Sequence, residues 1–287
     1  MLFEKKYHWI IAYKKKRENR FTIIPNPSWG WCADPFLVEF KSEIYIFAEA
    51  FLYKSERKGV IVYCKYNGSD FSDWKVTMDK HWHLSYPNVF VSNGDLFMCP
   101  ESYQNETVSL YKLLDFPDQW ERYKILIDNK KFVDTTFLTF NDKEYLFTFE
   151  PTFHNAEGSL LLYKRENSHY MRIGTITSNK RNARPAGNFF TEEGRLYRVA
   201  QKSERTYGEG IVLMEVEDLY PTYKEHESRE IYPNDIQVNS HKKFCGIHTY
   251  NRYNEFEVVD LKYKVLSFSE WIARKRIKKV FVDKYNC

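Results

Sequence analysis

With 287 residues that include 22 Tyr, 22 Phe and 7 Trp against 11 Gly and 10 Pro, the chain has apolar area for a large core and a bias toward strands. Its 43 Lys and Arg against 39 Asp and Glu leave +4 spread along the length, which excludes the concentrated basic face of a nucleic-acid partner. Cys32, Cys64, Cys99, Cys245 and Cys287 lack disulfide-scaffold or zinc spacing, so reduced thiols in a cytoplasmic protein are expected.

The first apolar stretch, residues 9–13, is too short for a signal-peptide core or a membrane span. Residues 8–13 read as a strand lying outside the repeat that fills most of the chain. The basic segment 14–20 reads as a solvated turn. From there a unit of about fifty residues recurs: an apolar strand, a polar turn, a second aromatic-rich strand ending in a polar residue, then a third strand. Copies begin at Ala33-Asp34-Pro35-Phe36, Tyr86-Pro87-Asn88, Asp134-Thr135-Thr136 and Arg184-Pro185-Ala186-Gly187, with a weaker fifth from Asp235. The opening positions are Asp34, Tyr86, Asp134, Arg184 and Asp235, and the closing positions Glu49, Glu101, Glu150, Gln201 and His248.

Third strands follow at 59–63, 109–112, 159–163 and 211–216. Fourth, outer strands follow at 74–78, 122–127, 170–176 and 223–231. Four antiparallel strands repeated radially predict an all-β fold, a five-bladed β-propeller over 1–266, with residues 8–13 completing the last blade and closing the ring. In the tail, 267–287, Ser267 and Glu270 form a capping-box pattern ahead of Trp271, Ile272 and interleaved Arg and Lys. That predicts a basic amphipathic helix, able to pack on the propeller or to meet anionic lipid.

In a propeller the inner strands line the axis, so equivalent positions of successive copies converge there. Polar residues that differ from copy to copy at those positions point to a site. Asp34, Glu101 and Asp134 are the candidate acid, base or nucleophile for glycosyl chemistry. Tyr86, Glu150 and Gln201 are candidate substrate contacts. Arg184, Arg198, Lys202 and Arg205, with Tyr207 and His248, form a candidate site for a phosphorylated donor, since guanidinium forks match phosphate oxygens. No His and Cys set has metal-ligand spacing.

The segments quoted, with Pro100-Glu101-Ser102, Val199-Ala200-Gln201, Tyr207-Gly208 and Ile247-His248-Thr249, resemble the five-bladed propeller glycosidases of the arabinanase, xylosidase and invertase kind. More closely they resemble a propeller group found with capsule and O-antigen polysaccharide genes and beside plant glucosamine inositolphosphorylceramide transferases. The resemblance covers roughly residues 25–265. It implies a glycosyltransferase that places ribofuranose 5-phosphate from phosphoribosyl pyrophosphate on a glycan, with a phosphatase acting afterwards. It also implies that Asp34 is the base or nucleophile. Blade two departs from the hydrolases, because Ser85-Tyr86-Pro87 stands where they carry a carboxylate. A pyrophosphate leaving group needs less acid assistance and brings Mg2+ into consideration as a cofactor. The alternatives are a glycoside hydrolase and a non-catalytic glycan-binding propeller.

Overall fold

Alternation along the strands decides how they pack. In the computed structural model, which describes residues 6–54, 58–152 and 157–265, the chain opens with β1 (Lys6–Lys15) and β2 (Thr22–Ile24). Blade one follows as β3 (Gly30–Phe40), β4 (Glu43–Leu52), β5 (Gly59–Lys65) and β6 (Lys75–Met78). Blade two is β7 (Ser85–Ser92), β8 (Asp95–Glu101), β9 (Val108–Asp115) and β10 (Gln119–Ile127). Blade three is β11 (Val133–Phe140), β12 (Lys143–Pro151), β13 (Gly158–Glu166) and β14 (His169–Thr177).

Blade four has an inner strand in two pieces, β15 (Arg184–Pro185) and β16 (Phe190–Glu192), then β17 (Arg195–Lys202), β18 (Gly210–Asp218) and β19 (Lys224–Ile231). Blade five also has a divided inner strand, β20 (Phe244–Gly246) and β21 (Tyr250–Tyr253), both on β22 (Phe256–Val265). Its outer strands come from the other end of the chain: β1 pairs antiparallel with β22, Ile11 opposite Asp260, and β2 pairs with β1. Neighbouring strands in each sheet are antiparallel. The expected ring closure is therefore present, and it covers with β1 the side of β22 that faces away from the axis.

On β4, Ile46, Ala48 and Ala50 pack toward β1 and β22, while Tyr45 and Phe47 pack toward Tyr86, Val89 and Met98 of blade two. Each sheet thus feeds two cores, one with each neighbouring blade. The same holds around the ring, with Leu146 and Leu161 facing blade two, Phe147 and Leu162 facing blade four, and Val199 and Leu213 packed on Val259 and Leu261. Burial of apolar faces between sheets is the force that holds the blades together.

Among the described residues no helix is long and apolar enough to cross a membrane. Cys32, Cys64 and Cys99 are buried free thiols and Cys245 is exposed. The amphipathic helix expected in 267–287 lies outside the described residues.

Candidate active site

The first three inner strands share one device. Ala33 pairs with Glu49, Ser85 with Glu101 and Val133 with Phe149, and after each pair the register slips. The next residue, Asp34, Tyr86 or Asp134, has φ of 51°, 41° and 51° respectively. Such a bulge re-aims its side chain, here toward the axis. Asp tolerates this left-handed conformation, whereas for a bulky Tyr it is an outlier that its surroundings must impose. The Tyr86 hydroxyl accepts the Gly187 N–H at 2.8 Å and contacts Thr136 Oγ1 at 2.8 Å, and its own N–H donates to Asp34 Oδ2 at 3.2 Å. Tyr86 is fully buried. It ties blades one to four together at the axis and is a strut, correcting the expectation of a substrate contact.

A second tie comes from three asparagines that the repeat did not single out. Asn88 donates to Asn188, the Asn188 N–H donates to Asn251, and Asn251 donates to the Pro35 carbonyl. Buried amides with both ends paired are satisfied structure.

Asp34 sits in the densest polar network. Its Oδ1 accepts the Thr249 hydroxyl at 2.9 Å and lies 3.5 Å from His248 Nε2. Its N–H donates to Oδ2 of Asp260 at 3.0 Å. Asp260 is wholly buried, and its Oδ1 accepts the N–H groups of His248 and Thr249, each at 3.0 Å. His248 Nδ1 stands 2.5 Å from Asp260 Oδ2 but off the hydrogen-bond axis, so that contact is chiefly ionic. The imidazole stacks on Trp9, with centroids 3.9 Å apart.

Burial pushes the Asp34 carboxyl up to about 6, opposed by the His248 charge and helped by Asp260 and Asp134. Burial alone would lower His248, but Asp260 and Asp34 outweigh it and hold it above the usual histidine value.

Across from Asp34, Glu101 is half-buried, and burial with the neighbouring Asp134 raises it well above the carboxylate range, Arg184 opposing. Asp134 in turn pairs with the Arg184 guanidinium, whose carbon lies 5.2 Å from the Tyr207 ring centre and 5.7 Å from that of Phe149. Glu49 completes the cluster, raised by burial and then by Asp34 and Glu101. Its Oε1 lies 3.4 Å from Nε2 of His83, whose Nδ1 accepts the Gly59 N–H at 2.8 Å. That acceptance leaves the ring proton on Nε2, facing Glu49.

Several expected site residues lie elsewhere. The closing position of blade three is Phe149, since Phe149 faces Val133. Glu150, one residue on, points to the opposite face by strand alternation. Arg198 is buried against Glu225, in a two-pronged pair at 2.6 and 2.8 Å. Lys202 is held by Glu230 and Tyr232, each at 2.8 Å. Arg205 is exposed and pairs with Glu209. The basic cluster thus contributes one member, Arg184, to the axis.

Gln201 donates to Ser203 Oγ, which accepts the Gly208 N–H. Gln201 therefore props the loop that carries Tyr207. Asp235 is a turn residue whose carboxylate accepts the Tyr232 N–H. The fifth copy was out of register: His248 lies in the break of the inner strand, where Asp34 lies in blade one. Asp260, His83 and Trp9 were not anticipated. A single Asp between Val259 and Leu261 in an otherwise apolar strand is the signal that could have revealed Asp260.

The donor atoms of Asp34, His248 and Asp260 lie within 4.8 Å of one another. The set does not fit Mg2+, which wants oxygen ligands in an octahedron. Both Asp260 oxygens are already taken by backbone N–H groups, and His248 lies between the two carboxylates.

Glu49, Glu101, Asp34 and His248 all bind protons more tightly when folded. The folded state thus holds more protons than the unfolded one, and stability falls as pH rises through their folded values. Exposed Glu204 and half-buried Glu192 and Glu230 shift the other way, but solvent screens them. The melting temperature is expected to be lower at about pH 8 than at about pH 5, and Glu49→Gln is expected to flatten that slope. A flat or rising profile in wild type contradicts this charge assignment.

Residues 22–275 match the family described as "Glucosamine inositolphosphorylceramide transferase 1, N-terminal". The chain belongs to that family. It is 28% identical over 255 residues to the protein of that name from Oryza sativa subsp. indica, matching 85% of this chain and 32% of the relative. The Arabidopsis thaliana protein is 29% identical over 271 residues, 88% of this chain and 33% of that one. The chain spans about a third of these relatives.

Among solved structures, an α-L-arabinofuranosidase from Podospora anserina superimposes with a TM-score of 0.60 at 9% identity, covering 92% of this chain and 98% of that one. A β-fructofuranosidase from Bombyx mori gives 0.57 at 15% identity, covering 87% and 55%. At these identities the likeness establishes the fold alone.

Proposed function

We propose that the chain is a glycosyltransferase domain in which Asp34 takes the proton of an acceptor hydroxyl as that oxygen attacks the anomeric carbon of a sugar donor. The observation that carries this is the Asp34 carboxyl itself, buried, held from behind by Thr249, His248 and Asp260, and titrating at about 6. A base is most effective when its pKa lies near the working pH. The new C–O bond forms opposite the leaving group, the leaving group departs with its bonding pair, and the acceptor proton ends on Asp34. The product is inverted. Glu101, whose carboxyl is raised by burial and by Asp134, can in its protonated form donate a hydrogen bond to the departing oxygen.

The specific form of the proposal is transfer of ribofuranose 5-phosphate from phosphoribosyl pyrophosphate to a surface-polysaccharide glycan. Arg184 beside Tyr207 supports a phosphate contact. With Arg198, Lys202 and Arg205 committed elsewhere, one phosphoryl group at Arg184 suits the axis better than a run of them, because the remaining charged groups are mainly carboxyls. The name carried by the plant relatives supports sugar transfer as the reaction class.

A second reading, glycoside hydrolysis, is favoured by the raised Glu101 carboxyl in the same cluster as Asp34, since an acid and a base are what hydrolysis requires. The two separate in one experiment. The full chain is incubated with phosphoribosyl pyrophosphate and glycan acceptors while pyrophosphate release and product linkage are followed, and aryl arabinofuranosides and xylosides are offered in parallel. Expected are a β-linked product from the α-configured donor and no useful hydrolysis of aryl glycosides. Rapid hydrolysis, or a product that keeps the donor's anomeric configuration, overturns the transferase in favour of a hydrolase.

A further inference from the structure

The strands that close the ring also carry the groups behind Asp34. Trp9 lies on β1 and Asp260 on β22, and these two strands, from opposite ends of the described chain, pair along their whole length. Trp9 covers one face of His248. Asp260 binds the N–H of Asp34, of His248 and of Thr249. A carboxylate with no exposure that accepts from three backbone groups fixes the relative positions of the segments bearing them. Those segments are the blade-one bulge and the break in blade five.

We infer that Asp260 and His248 are positioning residues for Asp34: Asp260 locks the bulge and the imidazole in place, and His248, charged and stacked on Trp9, keeps Asp34 ionised at its working pH. The inference rests on the proposed role of Asp34 as base. It also assigns His248 a function other than the donor contact expected from sequence, since each of its ring nitrogens faces a carboxylate.

The charged surroundings of Asp34 support this division of labour. Asp260 and Asp134 oppose its ionisation, as do Glu49 and Glu101 once they ionise, and Arg184 lies farther off beside Asp134. His248, with Nε2 3.5 Å from Asp34 Oδ1, is the cation that favours the charged form of Asp34. Without it the Asp34 carboxyl would be raised further, by burial and the neighbouring carboxyls, as Glu49 is.

The experiment is an NMR titration of the full chain, following the imidazole nitrogens of His248 and the side-chain carboxyl carbon of Asp34 in wild type, His248→Gln and Asp260→Asn. In wild type the imidazole is expected to carry protons on both nitrogens near pH 6 and to titrate above the ordinary histidine value. In His248→Gln the Asp34 midpoint is expected to rise by about one pH unit or more, and in Asp260→Asn the His248 midpoint to fall by about as much. If either midpoint stays within a few tenths of a unit of wild type in a folded variant, the proposal is overturned. His248→Gln leaves the Asp260 contacts with backbone in place, so it remains informative even where Asp260→Asn does not fold.

The readout does not depend on turnover. Coupled titrations in a protein that transfers no sugar leave this inference standing and remove the assigned reaction. Transfer activity with uncoupled titrations does the reverse. Where transfer is seen, the acid limb of the kcat/KM profile is expected to move up with His248→Gln, which a merely structural histidine would not cause.

Discussion

Asp34→Asn is expected to leave the propeller folded and to lower turnover by about 10²–10⁴-fold, the range a positioned general base contributes. The amide keeps the shape of the side chain, and Asn is among the residues that accept the left-handed conformation of this bulge. One oxygen remains to accept from Thr249 or from the Tyr86 N–H. What is lost is the capacity to take a proton and the ionic attraction to His248. The melting temperature should be measured beside the rate of sugar transfer. Activity within a few-fold of wild type removes Asp34 from the chemistry, and a collapse of stability moves its role to the architecture.

The fold was legible because a propeller writes itself twice, once as a period and once as strand alternation. The outer strands found at Lys75–Met78, Gln119–Ile127, His169–Thr177 and Lys224–Ile231 fall where the pattern placed them, and Lys6–Lys15 closes the ring as its position outside the repeat suggested. The site was legible where a bulge stands in a continuous strand. Asp34, Asp134 and Glu101 come together because each obeys the repeat, and Arg184 joins them through Asp134.

Legibility failed where the register changed. Blade three was set one residue too far, at Glu150 in place of Phe149, because an alternating strand carries no absolute phase and a charged neighbour looked like a better match. Blade five was displaced more, because its inner strand is divided and its second strand, with Asp260, lay beyond the segment taken as the copy. Arg198, Lys202 and Arg205 were grouped by sequence proximity, yet each meets its own carboxylate. Partners such as Glu225 and Glu230 belong to β19, on the far side of β18, and are invisible in a reading of β17 alone.

Arg184→Ala is the second large effect. The guanidinium pairs with Asp134, lowers the neighbouring Glu101, and lies over the Phe149 and Tyr207 rings. Its removal leaves buried Asp134 and half-buried Glu101 beside each other without a cation. Breaking a buried pair by deleting one partner costs about 3–5 kcal/mol, to be read from denaturant unfolding. The deficit is expected to shrink as the pH is lowered and Glu101, whose carboxyl burial already raises, takes up a proton, because part of the uncompensated charge then disappears.

Lys at this position restores the charge but not the planar group that lies over both rings, so it should recover only part of the stability. In the transfer assay, Arg184→Ala is expected to raise the KM for the donor more than that for the acceptor, since the guanidinium is the axial cation a donor phosphate would meet. A rise confined to the acceptor KM would detach Arg184 from the donor. A stability loss that does not vary with pH would mean that the lost ring contacts, and not the carboxyl pair, account for the effect.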